Sequence, residues 1–300
     1  MLKLHPVDEF SVSPPPEFPF RRGCFSNPDG SVGVLYADLP WDRSPPEGKH
    51  RGWIRTETVE FAFESSIGFR YAQPIPDGRW WVVAARSRDA WGAEIIDPTG
   101  HPIRRTNRVG VGDGINCTEV DAEGRLWLGY IDEGIFGSGY PAGLVRFDPV
   151  SKPGLEVAKP NWEYQAPGGI SEMADCYALN VVSPEEVWVC PYPDFPVVRI
   201  LHGKEEFIQR SLISGAHALA VHGDRLLFAG GYEHRGKYHL VEQGRSQEVA
   251  LLNAPDGYAF ARGSRMYIVN ADPKHKRGKT LQTADTPWPT VVRVYDLADL

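Results

Sequence analysis

Five side chains of this 300-residue chain carry the chemistry that their types and positions suggest: Asp113, Asn116, Asp175, Tyr177 and His217. They fall in three short segments, GDGINCTEV (112–120), ADCYALNV (174–181) and GAHALAV (215–221). In each segment polar residues lead into an apolar run, as at the head of a strand that enters a core. Oxygens of the Asp113 carboxylate and the Asn116 amide suit a hard divalent cation, Ca²⁺ or Mg²⁺. Asn116 serves equally as a substrate ligand. His217 titrates near neutrality, so His217 or Asp175 is the expected general base, with Tyr177 positioning a substrate. Further polar side chains lie in loops downstream: Asp132, Glu133, Asp194, Glu233, His234, Asn270 and Asp272.

The elements that hold these residues are set by an internal repeat. PDGRWWVV (76–83), AEGRLWLG (122–129), SPEEVWVC (183–190), HGDRLLFAG (222–230) and ARGSRMYIV (261–269) share a turn rich in Gly and acidic residues, then an apolar run. PDGSVGVLY (28–36) is a degenerate first copy. Each copy predicts a β-hairpin. A half-buried third strand is expected at GLVRFD (143–148), PVVRIL (196–201) and TVVRVYD (290–296), and more loosely at AEIID (93–97) and KYHLVE (237–242). The hairpin turns centre near residues 30, 78, 124, 185, 224 and 264, at spacings of 48, 46, 61, 39 and 40. That period is the length of one four-stranded propeller blade. The long spacing implies an insertion between Val150 and Ala174.

The expectation is therefore an all-β, single-domain, six-bladed β-propeller over residues 1–300. Its blades run approximately 20–65, 66–110, 111–170, 171–212, 213–253 and 254–300 with 1–12. The sixth copy ends at its third strand, so Leu2–Val12 is expected to supply the fourth and close the ring, removing open sheet edges. No segment has a helical period. In a propeller the first strand of each blade lines a central channel, and the loops before it converge on one mouth. That places Asn116 and His217 in the channel.

Composition narrows the function classes. Net charge is −7 and the pI about 5.7, with 42% hydrophobic residues, which argues against nucleic acid or anionic membrane as partners. The opening residues lack the apolar core of a signal peptide, and no run approaches 18 apolar residues, so a cytoplasmic protein is expected. The four cysteines, Cys24, Cys117, Cys176 and Cys190, have no CxxC spacing. Cys176 and Cys190 fall on adjacent strands of one blade, as a pair or as two thiols. Trp81, Trp127 and Trp188 share one repeat position, as expected for packing between blades. The basic cluster 274–279 is expected to be a mobile loop. GxSxG, HExxH, P-loop and dinucleotide motifs are missing.

INCTEVDAEGRLWLGYIDEG (115–134), followed by AGLVRFDP (142–149), resembles the third blade of the gluconolactonase and senescence-marker family. The resemblance implies a six-bladed propeller that hydrolyses sugar lactones with one divalent metal in the channel, Asn116 matching the Asn that heads the inner strand. Where that family has a second Asn and an Asp, this chain has Tyr177 and His217, and the family's N-terminal metal-binding Glu has no match. IDEGIFG and DCYALNV are similar to segments of bacterial propeller proteins without an assigned activity. Two functions follow as expectations. One is a small-molecule site at the channel mouth with hydrolase (lactonase-like, metal-assisted) or lyase activity. The alternative is a non-catalytic propeller that binds a protein or ligand partner.

Overall fold

The computed structural model describes residues 2–40, 48–87, 92–97, 99–101, 108–149, 159–271 and 289–300. Six antiparallel meanders of four strands follow one another along the chain. Their first strands are Phe20–Ser26, Tyr71–Pro74, Ile115–Val120, Asp175–Val181, Ala216–His222 and Gly257–Arg262. Each first strand contacts the first strand of the next meander, and Gly257–Arg262 returns to Phe20–Ser26. The chain is a six-bladed β-propeller, and we number its blades 1 to 6 in chain order.

Alternation within the strands explains the ring. In blade 4, Val187 and Val189 share a core cluster with residues of blade 3, such as Trp127. The intervening Trp188 and Cys190 pack with Leu219 and Phe228 of blade 5. Successive side chains of a strand point to opposite faces, so a sheet apolar on both faces must be covered on both. Each blade thus serves as core to two neighbours. The aligned tryptophans fit this scheme. Trp81 of blade 2 is fully buried and donates its indole N–H to Gly124 O, in the turn of blade 3, at 3.1 Å.

All six expected turns join the first and second strands of their blades, and the five expected third strands are found: Ala93–Ile96, Leu144–Phe147, Pro196–Leu201, Tyr238–Glu242 and Thr290–Asp296. The insertion contains the short fourth strand of blade 3, Trp162–Glu163. Two short helical turns were not expected, Asp132–Ile135 and Leu297–Asp299. Asp272 and the cluster 274–279 lie outside the described residues.

Closure differs in detail from the expectation. Asp8–Val12 completes blade 6, antiparallel to Thr290–Asp296. Leu2–Leu4 instead runs parallel to Arg245–Leu251 as a fifth strand of blade 5, with Leu4 buried there. The N-terminal segment therefore splits between two blades. Pro6, which has no N–H to give a ladder, sits where it changes sheet. No helix of the described residues is long and apolar enough to cross a membrane.

Candidate functional site

Four of the six inner strands slip by one residue at the same height in the ring. Their registers skip Arg22, Asn116, Tyr177 and His217, while the residues on either side keep their partners. Such a bulge re-aims the unpaired side chain and increases the local twist. All four bulged residues line one cavity of about 380 Å³ along the ring axis. Arg70, Tyr71, Gln73, Cys117, Glu119 and Tyr258 are among its other walls.

The cavity is a cup. At its lower end Glu119 of blade 3 and Arg262 of blade 6 come from opposite sides of the ring and meet at 3.6 Å. Beside them the Asn180 amide donates to Leu219 O and Gly263 O at 2.7 and 2.8 Å, and accepts from Gly263 N at 2.7 Å. Gly263 O also accepts from Val221 N. The turn of blade 6 is thereby fastened to blades 4 and 5, and the axis is closed on that side.

The floor is electrostatically unusual. One oxygen of Glu119, Oε2, accepts from Val181 N at 2.9 Å. Among the described residues its other oxygen has no hydrogen bond, and Glu119 is a wall of the cavity. Burial pushes this carboxyl up to about 7, against the opposing pull of Arg262 and the Val181 N–H. Gln73, on the neighbouring wall, donates to Thr118 O at 2.9 Å, but its Oε1 is buried without a hydrogen-bond partner, as are Nε and Nη1 of Arg262.

Higher up, the walls combine hydroxyls, an imidazole and a guanidinium. The His217 ring lies against Gly230, whose φ is +74°, in space that a Cβ would occupy. His217 opens onto the channel, yet desolvation by the surrounding walls holds its imidazole below the usual range, which favours the neutral form. Tyr71 donates to Asn116 O at 2.8 Å, and burial pushes its phenol up to about 12. Tyr177 and Tyr232 share a hydroxyl hydrogen bond of 2.6 Å, which with burial raises the Tyr177 phenol far above its ordinary value. Tyr258 has its ring on the channel and accepts from Cys24 N at 3.1 Å. Arg70 donates to Arg22 O. Beside the cup, Tyr177, Tyr192, Phe195 and Tyr232 cluster, with four pairs edge to face at centroid distances between 5.1 and 5.9 Å and the Tyr177–Tyr192 pair tilted at 6.4 Å.

Of the residues singled out from the sequence, Asn116, Tyr177 and His217 share the cup. Asp175 stands outside its walls, half-buried at the rim. Burial and the nearby Asp132 push its carboxyl up to about 6, and its Oδ1 has no hydrogen-bond partner. Asp113 ties a loop together, accepting from Ser87 N and Gly114 N at 3.0 and 2.8 Å. Glu133 pairs with Arg86, and Asp194 with Arg210. Cys176 does not face Cys190: its sulfur meets Cys117 of blade 3, and all four cysteines are free. The cup residues missed from the sequence are Glu119, Arg262, Gln73, Tyr71, Arg70 and Tyr258. A charged residue inside an inner strand that is otherwise apolar, as in TEV (118–120), was the available signal for Glu119.

The two ligands expected for a divalent cation, Asn116 and Asp113, do not both line the cup: Asn116 does and Asp113 does not. Asn116 gives its amide N–H to Cys176 O at 2.8 Å, which leaves its Oδ1 as the ligating atom, while Asp113 Oδ1 accepts from two backbone N–H groups. Among the described residues no three His, Cys, Asp or Glu side chains converge as a metal-ligand group.

No family model matches the chain, and no curated protein matches it by sequence. Among solved structures it is similar to the β-propeller domain of the trilobed protease from Pyrococcus furiosus, at 13% identity and TM-score 0.49, over 86% of this chain and 80% of that one. It is similar to virginiamycin B lyase from Staphylococcus aureus, solved as an inactive variant with quinupristin, at 12% identity and TM-score 0.48, over 96% and 99%. A proposed gluconolactonase aligns at 13% identity and TM-score 0.45, over 97% and 94%. At these identities the likeness is one of fold.

Proposed function

We propose that the protein binds a small polar organic molecule in the channel cup and carries out acid–base chemistry on it, as a hydrolase or lyase. The observation that supports this most is the set of four equivalent bulges that turn polar side chains into one cavity whose remaining walls are largely apolar. Its floor carries a carboxyl poised near neutrality, and its wall carries an imidazole held toward its neutral form. Groups matched in this way to the working pH are suited to proton transfer. In this reading Glu119 gives or takes a proton at Oε1, His217 acts as the opposing base, and Asn116 and the Tyr177 hydroxyl orient the ligand. The cavity volume suits a metabolite-sized ligand.

A second reading rests on the aromatic cluster at the rim, where Tyr192 and Tyr232 are 44% and 55% exposed. A non-catalytic propeller would use such a patch to hold a partner.

The test is an assay of the purified protein on a panel of aliphatic lactones, carboxylic esters and β-substituted acids, with and without Ca²⁺ or Mg²⁺. Turnover that falls at least 100-fold in both Glu119→Gln and His217→Ala, with near-UV spectra unchanged, supports the enzymatic reading. Turnover that survives both substitutions, or no turnover across the panel, counts against it.

A further inference from the structure

Two cysteines of neighbouring blades meet at the wall of the cup. Cys117 Sγ and Cys176 Sγ are 3.7 Å apart and share a weak hydrogen bond. Cys117 is half-buried and lines the cavity, whereas Cys176 is completely buried behind it. The meeting depends on Gly129, on the second strand of blade 3: a Cβ there would lie 2.5 Å from both sulfurs. The other two thiols are engaged elsewhere. Cys190 contacts Phe195 O, and Cys24 of blade 1 also lines the cup but sits beside Tyr258 of blade 6 rather than another sulfur.

We propose that Cys117 and Cys176 form a two-thiol modification site, oxidised by a peroxide that enters through the cup, to give a disulfide between blades 3 and 4. Cys117, the accessible thiol, attacks the peroxide O–O bond. Cys117 gains one oxygen as a sulfenic acid, and the peroxide leaves as water or an alcohol. The Cys176 sulfur then displaces hydroxide from the Cys117 sulfur, the S–S bond forms, and the Cys176 proton leaves with the hydroxide as water. The peroxide is reduced by two electrons and the thiol pair is oxidised by two. The hydrogen bond to Cys117, and then burial, keep the Cys176 proton on well above the usual thiol range, so the second step requires that proton to pass to the departing hydroxide as the S–S bond forms. Closing the gap draws the sulfurs from 3.7 Å to about 2.05 Å.

The link would alter the cup. Cys117 follows the bulged Asn116 and Cys176 precedes the bulged Tyr177, and Asn116 Nδ2 donates to Cys176 O. Oxidation therefore acts on the strand positions that aim two of the four bulged side chains. The inference depends on the thiol geometry alone and stands whether or not the cup is catalytic.

The experiment exposes the reduced full-length protein to hydrogen peroxide under native conditions, alkylates the remaining thiols and maps the peptides by mass spectrometry. The expected result is loss of two of the four thiols and one linked peptide pair, Cys117 with Cys176, reversed by dithiothreitol. In Cys117→Ser no linked peptide forms. Four alkylated cysteines after treatment, Cys117 over-oxidised without a link, or a link to Cys24 or Cys190 would each overturn the proposal. The wild-type readout needs no substitution, so a variant that failed to fold would not blunt it.

Discussion

Glu119 shows which of two opposing effects wins at a single residue. Arg262 and the Val181 N–H both favour the carboxylate, yet desolvation dominates and the carboxyl is raised to about 7. In the unfolded chain a glutamic acid titrates near 4.3. Between about 4.3 and 7, therefore, the folded protein holds a proton that the unfolded chain has lost. Folding stability falls as pH rises through that window, at up to about 1.4 kcal/mol per pH unit from this group. Glu119→Gln removes this contribution. Urea unfolding at pH 5 and pH 7 should show a shallower loss of stability for the variant than for the wild type, and parallel curves would contradict the assignment. This residue was hidden in the sequence because INCTEV also fits an ordinary blade strand. Arg262, read as part of a turn, gave no hint that it reaches across the ring. Asn116, Tyr177 and His217 were legible because they stand at strand heads.

At the scale of the element, the acidic residue just before the repeat turn of blade 3 has a mechanical role. In blade 3, Asp121 is fully buried. Its Oδ1 accepts from Glu123 N and Arg125 N, and its Oδ2 accepts from Arg125 Nε at 2.7 Å and Trp127 Nε1 at 3.1 Å. One carboxylate thus folds the turn and anchors the packing tryptophan. Asp121→Ala leaves an indole N–H and a guanidinium without their acceptor and is expected to cost about 3 kcal/mol. Chemical denaturation measures this, and a loss below about 1 kcal/mol would mean that the turn forms without its anchor. Gly129→Ala is expected to cost about 1–3 kcal/mol, because the new methyl group meets both sulfurs. It should also abolish the peroxide-induced link, whereas a linked Gly129→Ala would show that the sulfurs do not need that space. The turns were legible from Asp, Gly and Arg at fixed offsets. The bulges were not, since a one-residue slip in pairing leaves the alternation of a short strand almost unchanged. The bulges decide which side chains enter the cup, so strand order was readable from the repeat and side-chain aim was not.

At the scale of the molecule, the ring is held by its ends. Asp8–Val12 covers the edge of Thr290–Asp296, Arg293 pairs with Glu9 at 2.7 Å, and Leu4 and Phe10 are buried. Removing residues 1–12 deletes two core side chains, at roughly 2–5 kcal/mol each, and bares two strand edges. Calorimetry and light scattering should find a lower melting temperature and association that grows with concentration, and a truncated protein that melts like the full chain as a monomer would refute the closure. The repeat made closure by the N-terminal segment legible. It could not show the division of that segment between blades 5 and 6, because three residues at Leu2–Leu4 carry too little pattern to specify a partner. The cup itself rests on the whole ring, since its walls come from all six blades and its floor joins blades 3 and 6. The direct measurement is a crystal structure with whichever small molecule most raises the melting temperature. We expect density inside the cup, with a ligand atom in hydrogen-bonding reach of Glu119 Oε1 and of His217. Density confined to the Tyr192 and Tyr232 rim, with the cup holding only solvent, would contradict it.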